Sequence, residues 1–470
     1  MAEATTMEII ERLWSLAGLR PAALGPVALT GSEPALPSSF RVGAAAQASI
    51  AAATAAVAAL HRARGGPLQA TQVDMRHAAH EFHSERYIAL AGAAEAGARW
   101  DSIAGTYRCG DGRWVRLHTN FPHHRAGMLA LLACDGTREA VAAALAEWEA
   151  FAFEAAAAEA GMCASAMRSF AEWDADPQGR AVAALPALRI ERIGDAPPTP
   201  LPPLATRPLA GLRVLDLTRV IAGPVCGRTL AAHGAEVLHV SGAHLPSFDE
   251  LVVDTGRGKR SASLDLRTLA GRDRLRGLAT EADVFLQGYR PGAIAGHGFS
   301  PVELAALRPG IVCTALSAYG EVGPWGGRRG FDSLVQTASG FNHAEAVAAG
   351  DDPADPKPKV LPCQALDHAS GYLLAFGTLA ALLRRAEEGG SWHVRVSLVG
   401  TGMWLRGLGR LQEGFASPVK DMADIDDLLE QGDSGFGRLT AMRHAGQLAE
   451  TPPFWDAPSV PLGTHPAEWR

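Results

Sequence analysis

PLAGLRVLDLTRVIAGPVCGRTLAAHGAEVLHV, residues 208–240, is the stretch on which the fold turns. Within it Arg213–Leu217 (RVLDL) reads as a strand, Gly223–His233 as a helix and Glu236–Val240 (EVLHV) as a second strand. The same alternation continues with a helix near Ala270–Thr280, a strand at Asp283–Leu286 (DVFL), a helix near Pro301–Leu307 and a strand at Ile311–Leu316 (IVCTAL). Short apolar strands joined by helices predict right-handed crossovers and a parallel, doubly wound sheet. Ligands of such sheets bind beyond the carboxyl ends of the strands. The loops that matter are therefore Thr218–Gly223, Ser241–Gly258, Gln287–Gly292 and Ser317–Gly330.

Working outward, prolines 197, 198, 200, 202, 203 and 208 mark an extended linker, because proline fixes φ and removes a backbone donor. It divides the chain near residue 205. Before it lie Ala-rich amphipathic runs at about 44–64, 72–96, 124–133, 137–160 and 169–174, interrupted by YRCGDGRWVRLH (Tyr107–His118). There Asp111-Gly112 sits between alternating segments, a hairpin signal. The fold class is α/β: a Rossmann-like doubly wound parallel sheet domain plus a smaller α+β domain. Residues 1–205 are expected to be a helical half containing the small domain at about 97–185, residues 206–410 the sheet domain, and residues 411–470 a Pro-rich C-terminal extension.

A chain of 470 residues, 47% hydrophobic and 20% charged, can bury a large core and exceeds one compact unit. Its formal charge of -7, with no long Lys/Arg run, lacks the electrostatic footprint of a nucleic-acid or anionic-membrane binder. A small-molecule partner is expected, with no nucleic acid and no membrane. The six cysteines (109, 134, 163, 226, 313 and 363) form no C-x-x-C pair, so no disulfide or zinc framework is expected. Glu3, Glu8 and Glu11 break the N-terminal apolar residues, unlike a signal peptide. The longest apolar stretch, Ile50–Leu60, falls short of the roughly 18 residues of a membrane span. A cytoplasmic, reducing setting is the expectation.

An internal echo links the halves. Val57–Met75 (VAALHRARGGPLQATQVDM) resembles Leu379–Leu398 (LAALLRRAEEGGSWHVRVSL) as helix, basic patch, Gly-Gly and strand. Ungapped alignment of the helices sets Ala44 and Ala45 against Leu366 and Asp367, so one copy alone carries a carboxylate there.

After residue 240 come GRGKRSASLDL, DVFLQGYRPGAIAGHGF, LRPGIVCTALSAYGEVGPW, RRGFDSLVQTASG and ALDHASGYLLAFGTLAALLRRAEEGGSWHVRVSL. Together with the opening block, in that order and spacing, they resemble the family III CoA-transferases (CaiB/BaiF), which include formyl-CoA and carnitine CoA-transferases. GGPLQATQVDM and YRCGDGRWVRLH resemble what usually follows the catalytic half in that family; here they precede it, so the halves read as rearranged. The resemblance implies a homodimer, acyl-CoA and carboxylic acid substrates, and coenzyme A thioester as substrate with no tightly bound cofactor.

It also implies roles for particular residues. Asp367, in ALDHASG, matches the catalytic aspartate; read without the resemblance it is an N-cap of a helix His368–Arg385. The loop of Arg219, Val220, Ile221 and Ala222, which could otherwise be an ordinary strand-to-helix turn, lets CoA approach closely. Arg257, Lys259 and Arg260 are candidates for CoA phosphates, against a solvated basic loop. Gly288, Tyr289, Arg290 and Tyr319 complete the cofactor-binding set, with Tyr289 near the adenine, against a core tyrosine. Gly371 and Gly340 are candidate oxyanion donors.

Ser241, Gly242, Gly296 and Ser317 stand where relatives commonly carry charged residues, which motivates a second reading as a catalytically idle acyl-CoA-binding protein. A third, 2-methylacyl-CoA racemase chemistry, is disfavoured because Phe331 replaces the histidine of a GHD block and carries no proton. His77, His80 and His83 share a helical spacing without a carboxylate shell, so no metal is expected. The leading reading is CoA transfer through an aspartyl mixed anhydride and an aspartyl-CoA thioester at Asp367.

Overall fold

The computed structural model describes residues 4–92, 100–204, 206–418 and 420–470. Seven strands, β1 (Leu188–Gly194), β2 (Arg213–Leu217), β3 (Glu236–Ser241), β4 (Lys259–Ser263), β5 (Val284–Gln287), β6 (Val312–Ser317) and β7 (Ser391–Ser397), form one sheet. Their order is β4-β3-β2-β5-β6-β7-β1. The first six neighbours are parallel, and β1 closes the edge antiparallel to β7. The central strands are buried almost throughout, as parallel strands covered on both faces must be. The winding reverses between β2 and β5, where Leu217 lies opposite Gln287. A crevice therefore opens at the ends of those two strands.

Helices α1 (Val42–Ala63), α2 (Ala222–Ala232), α3 (Asp332–Ala338) and α4 (Ala365–Glu388) matter most for the site. Both α1 and α4 are long and apolar enough to cross a membrane by length and composition, which exceeds the expectation from Ile50–Leu60; both are buried, with α1 and α2 packed on α4. Small residues let the axes approach: a Cβ on Gly371 would stand 2.6 Å from the Ala222 carbonyl oxygen and 2.8 Å from Val225 Cβ. Any side chain there would push α2 and α4 apart.

The first half contains the expected α+β unit. Gly105–Arg108, Trp114–Leu117 and Ala164–Ala166 form an antiparallel sheet, backed by helices Pro122–Leu132, Arg138–Leu145 and Ala150–Glu159. Its hairpin is wider than a two-residue turn: Cys109 N donates to Arg113 O and Gly112 N to Cys109 O, with Gly112 at φ 79°.

Two expectations need correction. The run 72–96 is not one helix but strand Thr71–Asp74, helix Met75–Glu81, a short turn and strand Ala89–Leu90. The Asp74 carboxylate caps the helix by accepting from His77 N, ending the strand where the apolar period had seemed continuous. Residues 93–96 of that run, the start of the small domain at about 97 and the dividing residue 205 lie outside the described residues. The tail is more than an appendage: Leu429–Ser434 and Gly437–Met442 pair as a hairpin that meets Ala89–Leu90, and Gln447–Leu448 pairs with Thr71–Asp74.

The element order helix, strand, helix occurs twice, as Val42–Ala63, Thr71–Asp74, Met75–Glu81 and as Ala365–Glu388, Ser391–Ser397, Leu398–Gly407. In both, a carboxylate from elsewhere accepts an N–H at the start of the long helix. Glu33 Oε1 takes Ala44 N at 2.7 Å in the first, and Asp332 Oδ2 takes Asp367 N at 2.9 Å in the second.

The halves are locked by buried ions. Arg228, on α2, ion-pairs with Asp254 and lies 3.6 Å from Glu81 Oε1; Arg257 Nη2 meets Asp254 at 2.9 Å. Ala445 N, from the tail, donates to Glu81 Oε2 at 2.6 Å. All four charged side chains are almost fully buried, so removing one strands its partners without solvent. Arg228→Met should lower unfolding stability in urea by about 3–5 kcal/mol. A loss below about 1 kcal/mol would show the cluster is not what holds the halves together.

Candidate active site

The site starts from α4. The helix begins at Ala365 with Gln364 at its N-cap, and that residue makes no side-chain cap bond. Asp367 therefore lies within the first turn, not at the cap, and its backbone N–H is taken by Asp332 Oδ2. Asp332, the first residue of α3, is held in turn by the Gln336 side-chain amide, which also donates to Cys363 O at 3.3 Å, while Gln336 Oε1 accepts from Leu361 N at 2.9 Å. The next residue on α4, His368, reaches Glu85 Oε2 at 2.9 Å. Three carboxyls thus crowd one helix start.

Burial is the first cause of their unusual acidity. It pushes Asp367 well above the ordinary aspartate range, and the negative neighbours Asp332 and Glu85 push it further. Burial also raises Asp332 to about 6, against the Asp367 N–H and the Gln336 amide, which favour its charged form. Glu85 is the opposite case: burial works against its charge, but the His368 bond brings it below the usual range. Two neighbouring acids of this kind titrate as a pair. Once ionised, Asp367 is a carboxylate with little water around it, the state in which a carboxylate is a competent nucleophile.

Asp367 lines a cavity of 330 Å³ at the β2/β5 crevice. The structure brings there Arg219, Val220, Ile221 and Ala222 from the loop after β2, and Gly288, Tyr289 and Arg290 from the loop after β5. Eight of the twelve residues expected from the sequence share this one space. Val220 adopts φ 74°, the left-handed region that a β-branched residue rarely enters, and the loop turns so tightly that a Cβ on Gly223 would stand 2.4 Å from Thr218 Cβ.

The other four lie elsewhere. Lys259 Nζ is bound to Asp216 Oδ2 and the Pro224 carbonyl, both at 2.8 Å, and lines a separate, smaller cavity of 50 Å³. Arg257 is bound to Asp254 and Met442 O, and Arg260 to the Glu468 carbonyl in the tail. These three basic side chains are buried with internal partners, neither solvated nor facing the Asp367 cavity. Tyr319 is core, its hydroxyl 3.1 Å from Ser165 Oγ. Gly371 and Gly340 do not line the Asp367 cavity; added Cβ atoms would strike α2 and Phe170 respectively. The three histidines diverge: His77 Nε2 meets Arg443 O, His80 Nδ1 meets the Tyr87 hydroxyl, and burial drives His83 down to about 3.

Other walls were not anticipated. Arg328 and Arg329 lie at the end of the loop Ser317–Gly330, one of the four expected to matter, but within RRGFD the reading rests on Phe331 and singles out neither arginine. Phe121, His123 and His124 arrive from the first half, with Phe121 4.6 Å from the Phe248 ring and Arg219 over its face at 5.2 Å. Four arginines therefore surround one cavity, a charge pattern suited to a polyanionic ligand, while burial holds His123 and His124 below the usual imidazole range, His124 at about 4, so these two rings line it uncharged.

If the carboxyl pair sets the acidity of Asp367, removing the neighbour's charge must lower it. In Asp332→Asn the Asp367 carboxyl, followed by ¹³C NMR, should titrate at lower pH than in the parent, since loss of a negative neighbour favours the ionised form. An unchanged or higher midpoint would refute the electrostatic account.

Residues 209–427 match the family profile described as CoA-transferase family III. A protein of Mycobacterium tuberculosis named a probable fatty acyl-CoA transferase is 36% identical over 205 residues, 41% of this chain and 50% of that one. An acetyl-coenzyme A transferase of Hypoxylon pulicicidum is 36% identical over 228 residues, 47% of this chain and 37% of that one. A CAIB/BAIF family protein from Brucella suis, known from its crystal structure, is 28% identical with a TM-score of 0.38, covering 42% of this chain and 55% of its own. The chain spans about half, or less, of the length of the curated relatives it matches. Phe121, His123 and His124 lie outside the matched segment.

Proposed function

We propose, from the match of residues 209–427 to the profile described as CoA-transferase family III, that this chain moves coenzyme A between carboxylic acids, with Asp367 as the covalent centre. The observation that carries this reading is the position of Asp367: a buried carboxyl at a helix start, on the wall of an arginine-lined cavity at the sheet's switch point. The pantetheine arm of a thioester would enter through that cavity, with Arg219, Arg290, Arg328 and Arg329 meeting the phosphates.

The chemistry closes without a cofactor or a net proton. Ionised Asp367 attacks the thioester carbonyl, the C–S bond breaks, and CoA leaves as thiolate while a mixed anhydride forms. The thiolate then attacks the aspartyl carbon, expels the donor acid as carboxylate and leaves an aspartyl-CoA thioester. An acceptor carboxylate repeats the sequence in reverse: it attacks the aspartyl thioester, releases thiolate and forms a second anhydride. Thiolate attack on the acceptor's acyl carbon yields the new acyl-CoA and restores Asp367. Each step exchanges one leaving group for a comparable one, so a difficult transfer becomes several easier ones.

Asp332 holds the backbone of the nucleophile and, by its charge, raises the energy of ionised Asp367 before substrate binds. That extra energy is released when the anhydride removes the charge. Val220, held at φ 74° and lining the same cavity as Asp367, keeps the loop after β2 close to the ligand path.

Asp367→Ala should reduce transfer of CoA from an acyl-CoA donor to a labelled acid by at least about 10³-fold, with acyl-CoA still bound in calorimetric titration. Activity within about tenfold of the parent would exclude Asp367 as nucleophile, and binding with no transfer in the unmodified protein would favour the idle binder.

A further inference from the structure

Asp367 also borders a second cavity, of 100 Å³. Val220, Ile221 and Phe331 line both spaces. The second cavity differs from the first in composition. Trp100, Phe248, Phe331 and Leu251 supply apolar wall, while the titratable groups that border it are largely carboxyls: Glu85, Glu250, Asp332 and Asp367, with Arg86 as the guanidinium. Arg86 has an interaction of its own.

His118, from the small domain, adds to the flat wall. Its ring lies face to face with Phe331, centroids 3.8 Å apart and planes within 6°. Burial first, then the nearby His124 and Arg116, drive it down to about 3, so it is a neutral ring; its Nδ1 has no hydrogen-bond partner among the described residues. Trp100 meets it edge-on at 5.9 Å.

A thioester carbonyl placed at Asp367 with its pantetheine in the cationic cavity must direct its acyl substituent away from that cavity. The acidic, aromatic chamber is the second space that Asp367 borders. We propose that this chamber is the acyl pocket and that it selects acids with an uncharged, flat or branched apolar tail over dicarboxylic acids. The inference rests on the transfer reading above for its pose. Its selectivity follows from the walls: an ω-carboxylate placed there leaves water and faces Glu85, whose charge is held by His368 at 2.9 Å. An aromatic or branched hydrocarbon tail instead meets Trp100, Phe248 and the Phe331–His118 stack.

The test compares phenylacetyl-CoA and isobutyryl-CoA with glutaryl-CoA in two assays. In the transfer assay, kcat/KM for the two uncharged thioesters should exceed that for glutaryl-CoA by about 100-fold. In titration calorimetry on Asp367→Ala, which needs no turnover, they should bind at least about tenfold more tightly. Phe248→Lys, which places a cation in the chamber, should narrow both ratios by raising glutaryl-CoA use or affinity. Equal or preferred use of glutaryl-CoA, above all if abolished by Arg86→Ala, overturns the proposal while leaving CoA transfer intact. A binding preference without transfer by the unmodified protein overturns the transfer reading and supports the pocket. No binding difference overturns the pocket whatever the turnover.

Discussion

One buried carboxyl, crowded at the start of a helix by two others, is the constraint to which the rest of the structure answers. Asp367 needs a fixed backbone, a dry setting and an approach from two sides. Asp332 supplies the first by accepting its N–H at 2.9 Å. The mutual burial of α1, α2 and α4 supplies the second, and it depends on close approach at Gly371, where a methyl group would already meet the Ala222 carbonyl. The reversal of winding between β2 and β5 supplies the third, because it parts the loops after those strands and leaves the crevice into which Asp367 projects. A carboxyl in this position is costly to ionise and reactive once ionised, and both properties have the same cause.

The two halves divide the work unequally. Each has a long buried helix whose first turn is held by a carboxylate from elsewhere in the chain, Glu33 for α1 and Asp332 for α4. Only the second has an acid on the helix itself; Ala45, which the internal alignment sets against Asp367, is plain core. The first half contributes walls instead: Phe121, His123 and His124 to the cationic cavity, Trp100 and His118 to the acidic one. The buried Arg228–Asp254–Glu81 cluster and the edge strand β1 hold those walls against the sheet domain.

Local pattern made most of the sheet legible, although β1 and β4 were not read as strands. Strands such as RVLDL and EVLHV announce themselves by apolar runs between helices, and the observed bounds differ from the expected ones by a residue or so. The loops after β2 and β5 followed from topology alone, and Asp367 from its block. The failures were of partnership. Lys259 lies 43 residues from Asp216 and Arg257 173 from Glu430, and nothing local says that these bonds will bury cations that looked exposed. His118 and Phe331 are likewise distant in sequence, so a ring stack in the wall of a cavity at Asp367 was invisible. Asp74 as a helix cap was readable in principle, but the Ala-rich run around it hid the change from strand to helix.

The central claim is that CoA becomes covalently attached to Asp367 during turnover. Intact mass spectrometry of protein quenched with an acyl-CoA, followed by peptide mapping after hydroxylamine, addresses it directly. The account predicts a CoA adduct that hydroxylamine converts to a hydroxamate on the peptide carrying Asp367. A protein that turns over with no adduct, or with one on a different residue, would contradict it.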